Sequence, residues 1–322
     1  MGTGRIARAF ATALETSRTG VLAAIGSRTP EAAAQFAETF PARCHGHYEA
    51  LLADPEVDAI YLSTPHPMHA EWAIRTMEAS KHLLCEKPMT MNHADTLRVI
   101  EAARRHDVFL MEAFMYRCQP QTAKVMELIR QGALGEVRLV RASFGFAAPF
   151  NPAHRLYNPA LGGGGILDIG CYPMSMARLV AGAASGEPFA EPQELLATGT
   201  LTPTGVDESA AAILKFPGGL IAQLTCSLAA RLDNTVAIHG TEATLSIPTP
   251  WHAQGQTAGS TRLSITRNGE TETIEVPADR GIYTIEADHV AEHLAARQSP
   301  CMPWDDSLGQ AAALDRWLAA LA

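Results

Sequence analysis

The chain has 322 residues, 47% of them apolar and 18% charged, and a formal net charge of −9. That length exceeds one ordinary core and suits two domains, while an acidic balance without any like-charged block argues against nucleic acid or anionic membrane as partners, since both need a basic face. The six cysteines are scattered without a C-x-x-C pair, unlike a disulfide framework or a zinc ribbon; with no apolar run near the roughly 18 residues of a membrane span and no basic-plus-apolar leader, a cytoplasmic protein is expected.

The first third alternates helix and strand patterns. Apolar periodicity predicts a helix over 5–16, a strand over 21–26, a helix over 30–39 and a short one over 48–53. A buried strand over 57–63, a helix over 68–79, a strand over 82–85, a helix over 94–106 and a strand over 108–111 follow. Strands spaced by amphipathic helices argue for right-handed β-α-β units on a parallel sheet.

After about Tyr116 the texture changes. A helix over 122–131 leads to a long β-rich run over 137–146, and a glycine-rich corner at 162–165 opens a helix to about 180. Strand patterns then recur at 195–201, 209–216, 220–227, 235–239, 262–266 and 273–276, with hairpin-type turns at Phe216-Pro217-Gly218-Gly219 and Asn268-Gly269. A helix over 285–296 and a last one running to 322 close the chain. The texture implies an α/β chain: a parallel-sheet domain over 1–117, then an α/β domain over 118–322 with an open, mainly antiparallel sheet. The exposed face of such a sheet needs a cover, which makes this second domain the expected surface of a homodimer; the last helices are expected to return towards the first domain.

Gly2-Thr3-Gly4-Arg5-Ile6-Ala7 is a G-x-G-x-x-A run at the mouth of a helix. Its glycines permit a tight turn and the close approach of a pyrophosphate to the helix N-terminus, so these residues are candidate cofactor contacts. The strand that ordinarily precedes such a turn is missing from the sequence, and either a truncation or an upstream start is expected. Ser27-Arg28 follows the strand over 21–26, where an NAD-preferring site carries an acidic residue for the ribose 2′-hydroxyl. A hydroxyl and a guanidinium suit a 2′-phosphate, which favours NADP, with NAD as the alternative.

Ser63-Thr64-Pro65-His66-Pro67-Met68-His69, Lys81-His82-Leu83-Leu84-Cys85-Glu86-Lys87-Pro88, the run from Met111 to Arg117, and the run from Gly162 to Pro173 together resemble the glucose-fructose oxidoreductase / inositol dehydrogenase / rhizopine catabolism family. Within it the chain is most similar to the dimeric dihydrodiol dehydrogenases and NADP-dependent D-xylose 1-dehydrogenases. The resemblance runs from residue 2 almost to the end. It implies a Rossmann-type first domain, a cis Lys87–Pro88 bond, and hydride transfer between NADP and a CH–OH group of a sugar or cyclic diol. Glu86-Lys87-Pro88 stands at the carboxyl end of a predicted parallel strand, where ligands of open α/β sheets bind.

The family pattern also implies roles. Tyr172 is the proton acceptor, Lys87 polarises and positions the substrate oxygen, and Asp168 orients Lys87 or a substrate hydroxyl. Asp168 and Tyr172 are four residues apart, and a neighbouring ammonium would favour the phenolate. Ser63, Thr64, Pro65, His69 and Glu86 are expected beside the cofactor. Arg117 lies near cofactor or substrate, or makes an interdomain salt bridge. Tyr116, Arg155 and Tyr157 are candidate substrate contacts, the last two in a segment that lines a cleft or forms a solvated loop. Tyr283 is expected to close over the nicotinamide.

Two metal patterns are set aside. His289-Val290-Ala291-Glu292-His293 matches H-x-x-E-H, but no glutamate follows Glu292 to complete a zinc site. The His45/His47 pair is read as an ordinary loop. No metal is therefore expected. The rival functions are an NADPH-dependent reductase of a keto or anhydro sugar and, from another class, a non-catalytic NADP-binding regulator; retention of Lys87, Asp168 and Tyr172 speaks against the second. Inositol dehydrogenases usually carry His where Tyr172 stands.

Overall fold

The computed structural model describes residues 1–321; Ala322, the last residue of the predicted final helix, lies outside them. The chain divides into two compact units. Unit 1 comprises Met1–Cys118, Gly255–Ala258 and Asp279–Leu308, and unit 2 comprises Gln119–Gln254, Gly259–Ala278 and Gly309–Ala322.

Unit 1 opens with α1 (Arg5–Leu14), then β1 (Ala24–Gly26), α2 (Pro30–Ala37), β2 (Arg43–His45), α3 (Tyr48–Leu52), β3 (Ala59–Leu62), α4 (His69–Glu78), β4 (His82–Glu86), α5 (His93–His106) and β5 (Leu110–Ala113). All its strand pairs are parallel, but the sheet is in two pieces, β1–β2 and β3–β4–β5. Between them lies the start of the chain. The Met1 ammonium donates to Tyr61 O at 2.8 Å, Ser63 N donates to Met1 O at 3.0 Å, and Gly2 N donates to Gly26 O at 2.9 Å. Met1 and Gly2 thus bond to both pieces. The strand expected over 21–26 shrinks to its last three residues, because β2 offers a partner no longer than that and Val21 is exposed.

The apolar faces of α3, α4 and α5 close one core around Leu62, Trp72, Met77, Leu83 and Val99, and Ile25, Ala33 and Phe36 form a smaller one under α2. Capping is local and readable: Thr29 caps α2 and Asn92 caps α5 through their side-chain oxygens. His47 likewise accepts from Ala50 N at the start of α3, while His45 bonds Asp54 at 3.0 Å.

Unit 2 begins with α6 (Pro120–Arg130), β6 (Val137–Gly145), α7 (Cys171–Ser185), β7 (Glu194–Leu201), β8 (Asp207–Lys215) and β9 (Ile221–Ser227). It continues with β10 (Val236–Gly240), β11 (Thr244–Ile247), β12 (Gly259–Arg267) and β13 (Glu270–Ala278). The strands make one eight-stranded sheet in the order β13-β12-β11-β10-β6-β9-β8-β7, antiparallel except where β6 pairs with β9. Both hairpin turns form as expected, with positive φ at Gly218, Gly219, Asn268 and Gly269. α7 is buried along almost its whole length and packs on β6 and β9. The opposite sheet face leaves Leu196 71%, Ile213 50% and Ile221 40% exposed.

The chain then returns. α8 (Ile282–His293) belongs to unit 1 and packs beside α1, and the final helix α9 (Trp304–Ala319) begins in unit 1 and ends in unit 2. No helix among the described residues is long and apolar enough to cross a membrane. All six cysteines are free thiols.

Candidate functional site

In unit 1 the glycine run builds an open helix mouth. Gly4 precedes α1 in an extended conformation and no side chain caps the helix, so its first-turn amides face outward without an internal acceptor. Gly2 has φ +101°, and a Cβ there would lie 2.9 Å from Ser63 O, so the close packing of this turn on the end of β3 demands glycine. A Cβ on Gly4 would meet nothing within 4 Å. That open side is where a pyrophosphate would approach, with Thr3, Arg5 and Ile6 around it. Thr3 Oγ1 and Ser27 Oγ lie 3.4 Å apart, and Arg28 beside them is exposed.

A second group lies at the carboxyl ends of β3 and β4. Thr64 is buried, and its Oγ1 has no hydrogen-bond partner. A buried hydroxyl without a partner is costly unless something arrives to bond it. The residues present therefore fit a bound dinucleotide: open amides, a glycine cradle and an orphaned hydroxyl share this edge of the sheet. The Lys87–Pro88 peptide is cis. Glu86 is buried at the end of β4, accepting the Tyr61 hydroxyl on Oε1 and Lys87 N at 3.2 Å on Oε2. Lys87 is half-buried just beyond it.

α8 brings two more groups. Tyr283 feels Glu86, Glu286 and Arg5, and burial first, then the two carboxylates, push its phenol above the ordinary value. Glu286 is fully buried with neither carboxyl oxygen hydrogen-bonded, and burial first, then the nearby Glu86, hold its pKa well above the ordinary 4.5. Tyr61 is a member of this cluster that motif reasoning left out, since no local pattern joins positions so far apart; the burial of a lone carboxyl flags Glu286.

Unit 2 holds the other expected catalytic residues. Gly164 has φ +118°, and its missing side chain leaves room for Asp207, whose Oδ2 accepts Ile166 N at 2.6 Å. This pins the corner ahead of α7. The chain then winds through one π-helical turn, Ile166–Gly170, before α7 begins at Cys171. Pro173, which cannot donate to the turn before it, accounts for the widened ladder. Asp168 lies in that π turn and accepts Arg155 Nη1 at 2.8 Å. Tyr172 is buried, with its ring 5.3 Å from Phe144 and 5.7 Å from Trp251.

Four of the expected site residues are bonded within the protein. His69 is fully buried, with Nδ1 3.0 Å from Pro88 O and Nε2 2.9 Å from Thr64 O. Its ring stands between the two loops, and burial lowers its pKa. Tyr116 is fully buried and bonded to Arg117. Arg117 pairs with Asp306 at 2.5 Å and donates Nε to Cys301 O at 2.9 Å, all within unit 1. Tyr157 is 1% exposed and donates its hydroxyl to Ala148 O at 2.8 Å. Arg155, in contrast, is exposed and holds Asp168.

Comparison with known proteins identifies the frame. Residues 1–114 match the oxidoreductase family with an NAD-binding Rossmann fold, and residues 122–246 match the GFO/IDH/MocA C-terminal domain. A trans-1,2-dihydrobenzene-1,2-diol dehydrogenase of Danio rerio is 41% identical over 249 residues, 76% of this chain and 72% of the relative. The Xenopus laevis protein of that name is 35% identical over 312 residues, 95% of this chain and 92% of the relative. Among solved structures, a 3-ketoreductase from Actinomadura kijaniata in complex with NADP and TDP-benzene is 30% identical, with a TM-score of 0.87 over 99% of this chain and 96% of that one. An aldose-aldose oxidoreductase from Caulobacter crescentus, complexed with glycerol, is 26% identical, with a TM-score of 0.88 over 99% and 95%. With both of its halves matched, the chain belongs to the GFO/IDH/MocA family of oxidoreductases and carries that family's NAD-binding Rossmann domain.

Proposed function

We propose that this protein is an NADP-dependent dehydrogenase that oxidises a CH–OH group of a sugar or cyclic diol. The observation that carries the reading is the joint presence of Lys87 beyond β4 and of Asp168 and Tyr172 at the start of α7, in a chain 41% and 35% identical to proteins named dihydrodiol dehydrogenases. The nicotinamide, when bound, accepts the hydride. The protein's own part is to bind, orient and move one proton. Tyr172 takes the hydroxyl proton, Lys87 holds the oxygen as it becomes a carbonyl, and Asp168 is steered by Arg155 to a neighbouring hydroxyl. One carbinol and NADP+ give one carbonyl, NADPH and a proton.

NADP is favoured over NAD by Ser27 and by the exposed Arg28, whose guanidinium suits a 2′-phosphate. A cytoplasmic setting fits the six free thiols. A homodimer through the unit 2 sheet is supported by the exposed pair Leu196 and Ile213, which lie opposite each other on β7 and β8, with Ile221 on β9. The reverse reaction, reduction of a keto sugar, is the second reading, favoured by the structural likeness to a 3-ketoreductase held with NADP.

The test is to incubate the full-length protein with NADP or NAD and with D-xylose, D-glucose or a trans-dihydrodiol, following NADPH. Formation of NADPH with at least one is expected, and none with any of them removes the substrate class. Tyr172→Phe is expected to cut turnover by about 10²–10⁴-fold while leaving NADP affinity nearly intact. Unchanged turnover would remove Tyr172 as the proton acceptor.

A further inference from the structure

Two thiols and an imidazole meet in unit 1, apart from the groups assigned above. Cys118 ends the 3-10 turn Met115–Cys118, His289 lies on α8, and Cys301 lies in the loop between α8 and α9. Their two sulfurs and an imidazole nitrogen all lie within 4.8 Å of one another, and all three side chains are half-buried. In the H-x-x-E-H run the two histidine rings pack with centroids 4.1 Å apart, but His293 Nδ1 turns back to His289 O at 2.8 Å. His289 joins the cysteines instead.

The surroundings hold this group in place. Ser299 is fully buried; its Oγ lies 2.7 Å from His289 Nε2 and accepts Cys301 N at 3.0 Å. One hydroxyl thus fixes both the imidazole and the Cys301 loop, which leaves Nδ1 as the ring nitrogen to offer a ligand. On the other side Arg117 donates Nε to Cys301 O and is itself locked to Asp306. The nearby charges are Arg117, already paired, and Glu286, one turn earlier on α8, which is close enough to act on Cys118.

We propose that Cys118, His289 and Cys301 form a binding site for a thiophilic divalent cation, zinc above all. Two thiolates and a neutral imidazole balance a +2 ion, and this soft donor set discriminates against magnesium and calcium. With Zn–S about 2.3 Å and Zn–N about 2.0 Å, ligand atoms in a tetrahedral site lie roughly 3.5–3.8 Å apart, so closing the group shortens any separation by roughly 1.3 Å at most. Ser299 supplies the outer partner that a ligating histidine needs. The ion would tie the end of the 3-10 turn to α8 and its following loop, a structural clasp rather than a hydrolytic centre. Binding displaces the thiol protons.

The test uses the full chain, kept reduced with a phosphine and stripped by a chelator. Titration with Co2+ is expected to give a near-ultraviolet thiolate-to-cobalt band that saturates at one equivalent and is displaced by Zn2+. Zn2+ is also expected to protect Cys118 and Cys301, and no other cysteine, from alkylation, as read by peptide mapping; this needs no variant. Cys301→Ala is expected to abolish the band, and Ser299→Ala to weaken Zn2+ binding by about 10–100-fold. A band that never saturates, or that survives in Cys118→Ala and Cys301→Ala, overturns the site. So does a chain that forms a Cys118–Cys301 disulfide in air but takes no metal when reduced.

Discussion

Two buried polar groups in unit 1 stand in opposite conditions. Around Arg117 every demand is met inside the protein: the guanidinium is paired with Asp306, its Nε is used by Cys301 O, and Tyr116 bonds it as well. Around the ends of β3 and β4 demands are left open: Thr64 Oγ1 and both oxygens of Glu286 are buried without partners. Burial alone does not separate frame from site, because both groups are buried. The state of the hydrogen bonds does. A buried polar group bonded within the protein serves the frame, whereas the unpartnered Thr64 and Glu286 are open to a bond with something else.

The sharpest way to break this contrast is to remove a partner on the satisfied side. Arg117→Met leaves Asp306 buried and uncompensated, and is expected to lower stability by about 3–5 kcal/mol, measured by chemical denaturation. The double variant Arg117→Met with Asp306→Leu should recover most of that loss. If the single variant is as stable as the parent, the pair is not the frame it is taken to be.

On the open side the effects fall on ligands instead. Arg28→Ala is expected to weaken NADP binding by about 1.5–3 kcal/mol, roughly 10–100-fold, and to leave NAD binding unchanged; isothermal titration with both cofactors decides it. Equal losses for the two would detach Arg28 from the 2′-phosphate. Thr64→Val should leave the free protein as stable as before, or slightly more so, because no internal bond is lost. Its NADP affinity is expected to fall by roughly 1 kcal/mol, about fivefold. A melting temperature that drops without any change in affinity would reverse that assignment.

Glu286→Gln gives the smallest effect and the most informative trend. The folded pKa of Glu286 lies above its unfolded value of 4.5, so above that pH the native state holds a proton that the unfolded chain has lost. Stability therefore falls as pH rises from about 4.5 towards the folded value. The Gln variant lacks this term, so its stability relative to the parent should grow with pH across that window. Denaturation curves whose separation stays constant with pH would show that Glu286 is not held protonated.

The sequence by itself determined the elements, most of their order, and the family. Hydrophobic periodicity and turn chemistry are local properties, so α4, α5, the Asn268-Gly269 hairpin and the glycine mouth of α1 could be read from short windows. The motif residues Lys87, Asp168 and Tyr172 were legible for the same reason: each sits inside a contiguous signature. Tertiary structure alone decided what each polar side chain bonds. Nothing near His69 in the sequence announces that its ring will bridge Thr64 O and Pro88 O, or near Tyr157 that its hydroxyl will be used by Ala148 O. The grouping of Cys118, His289 and Cys301 likewise depends on α8 returning to unit 1 after the whole sheet of unit 2 has been built. A hydrogen bond is short-ranged in space and indifferent to distance along the chain, so a pattern confined to neighbouring residues carries the scaffold but not its bonding partners.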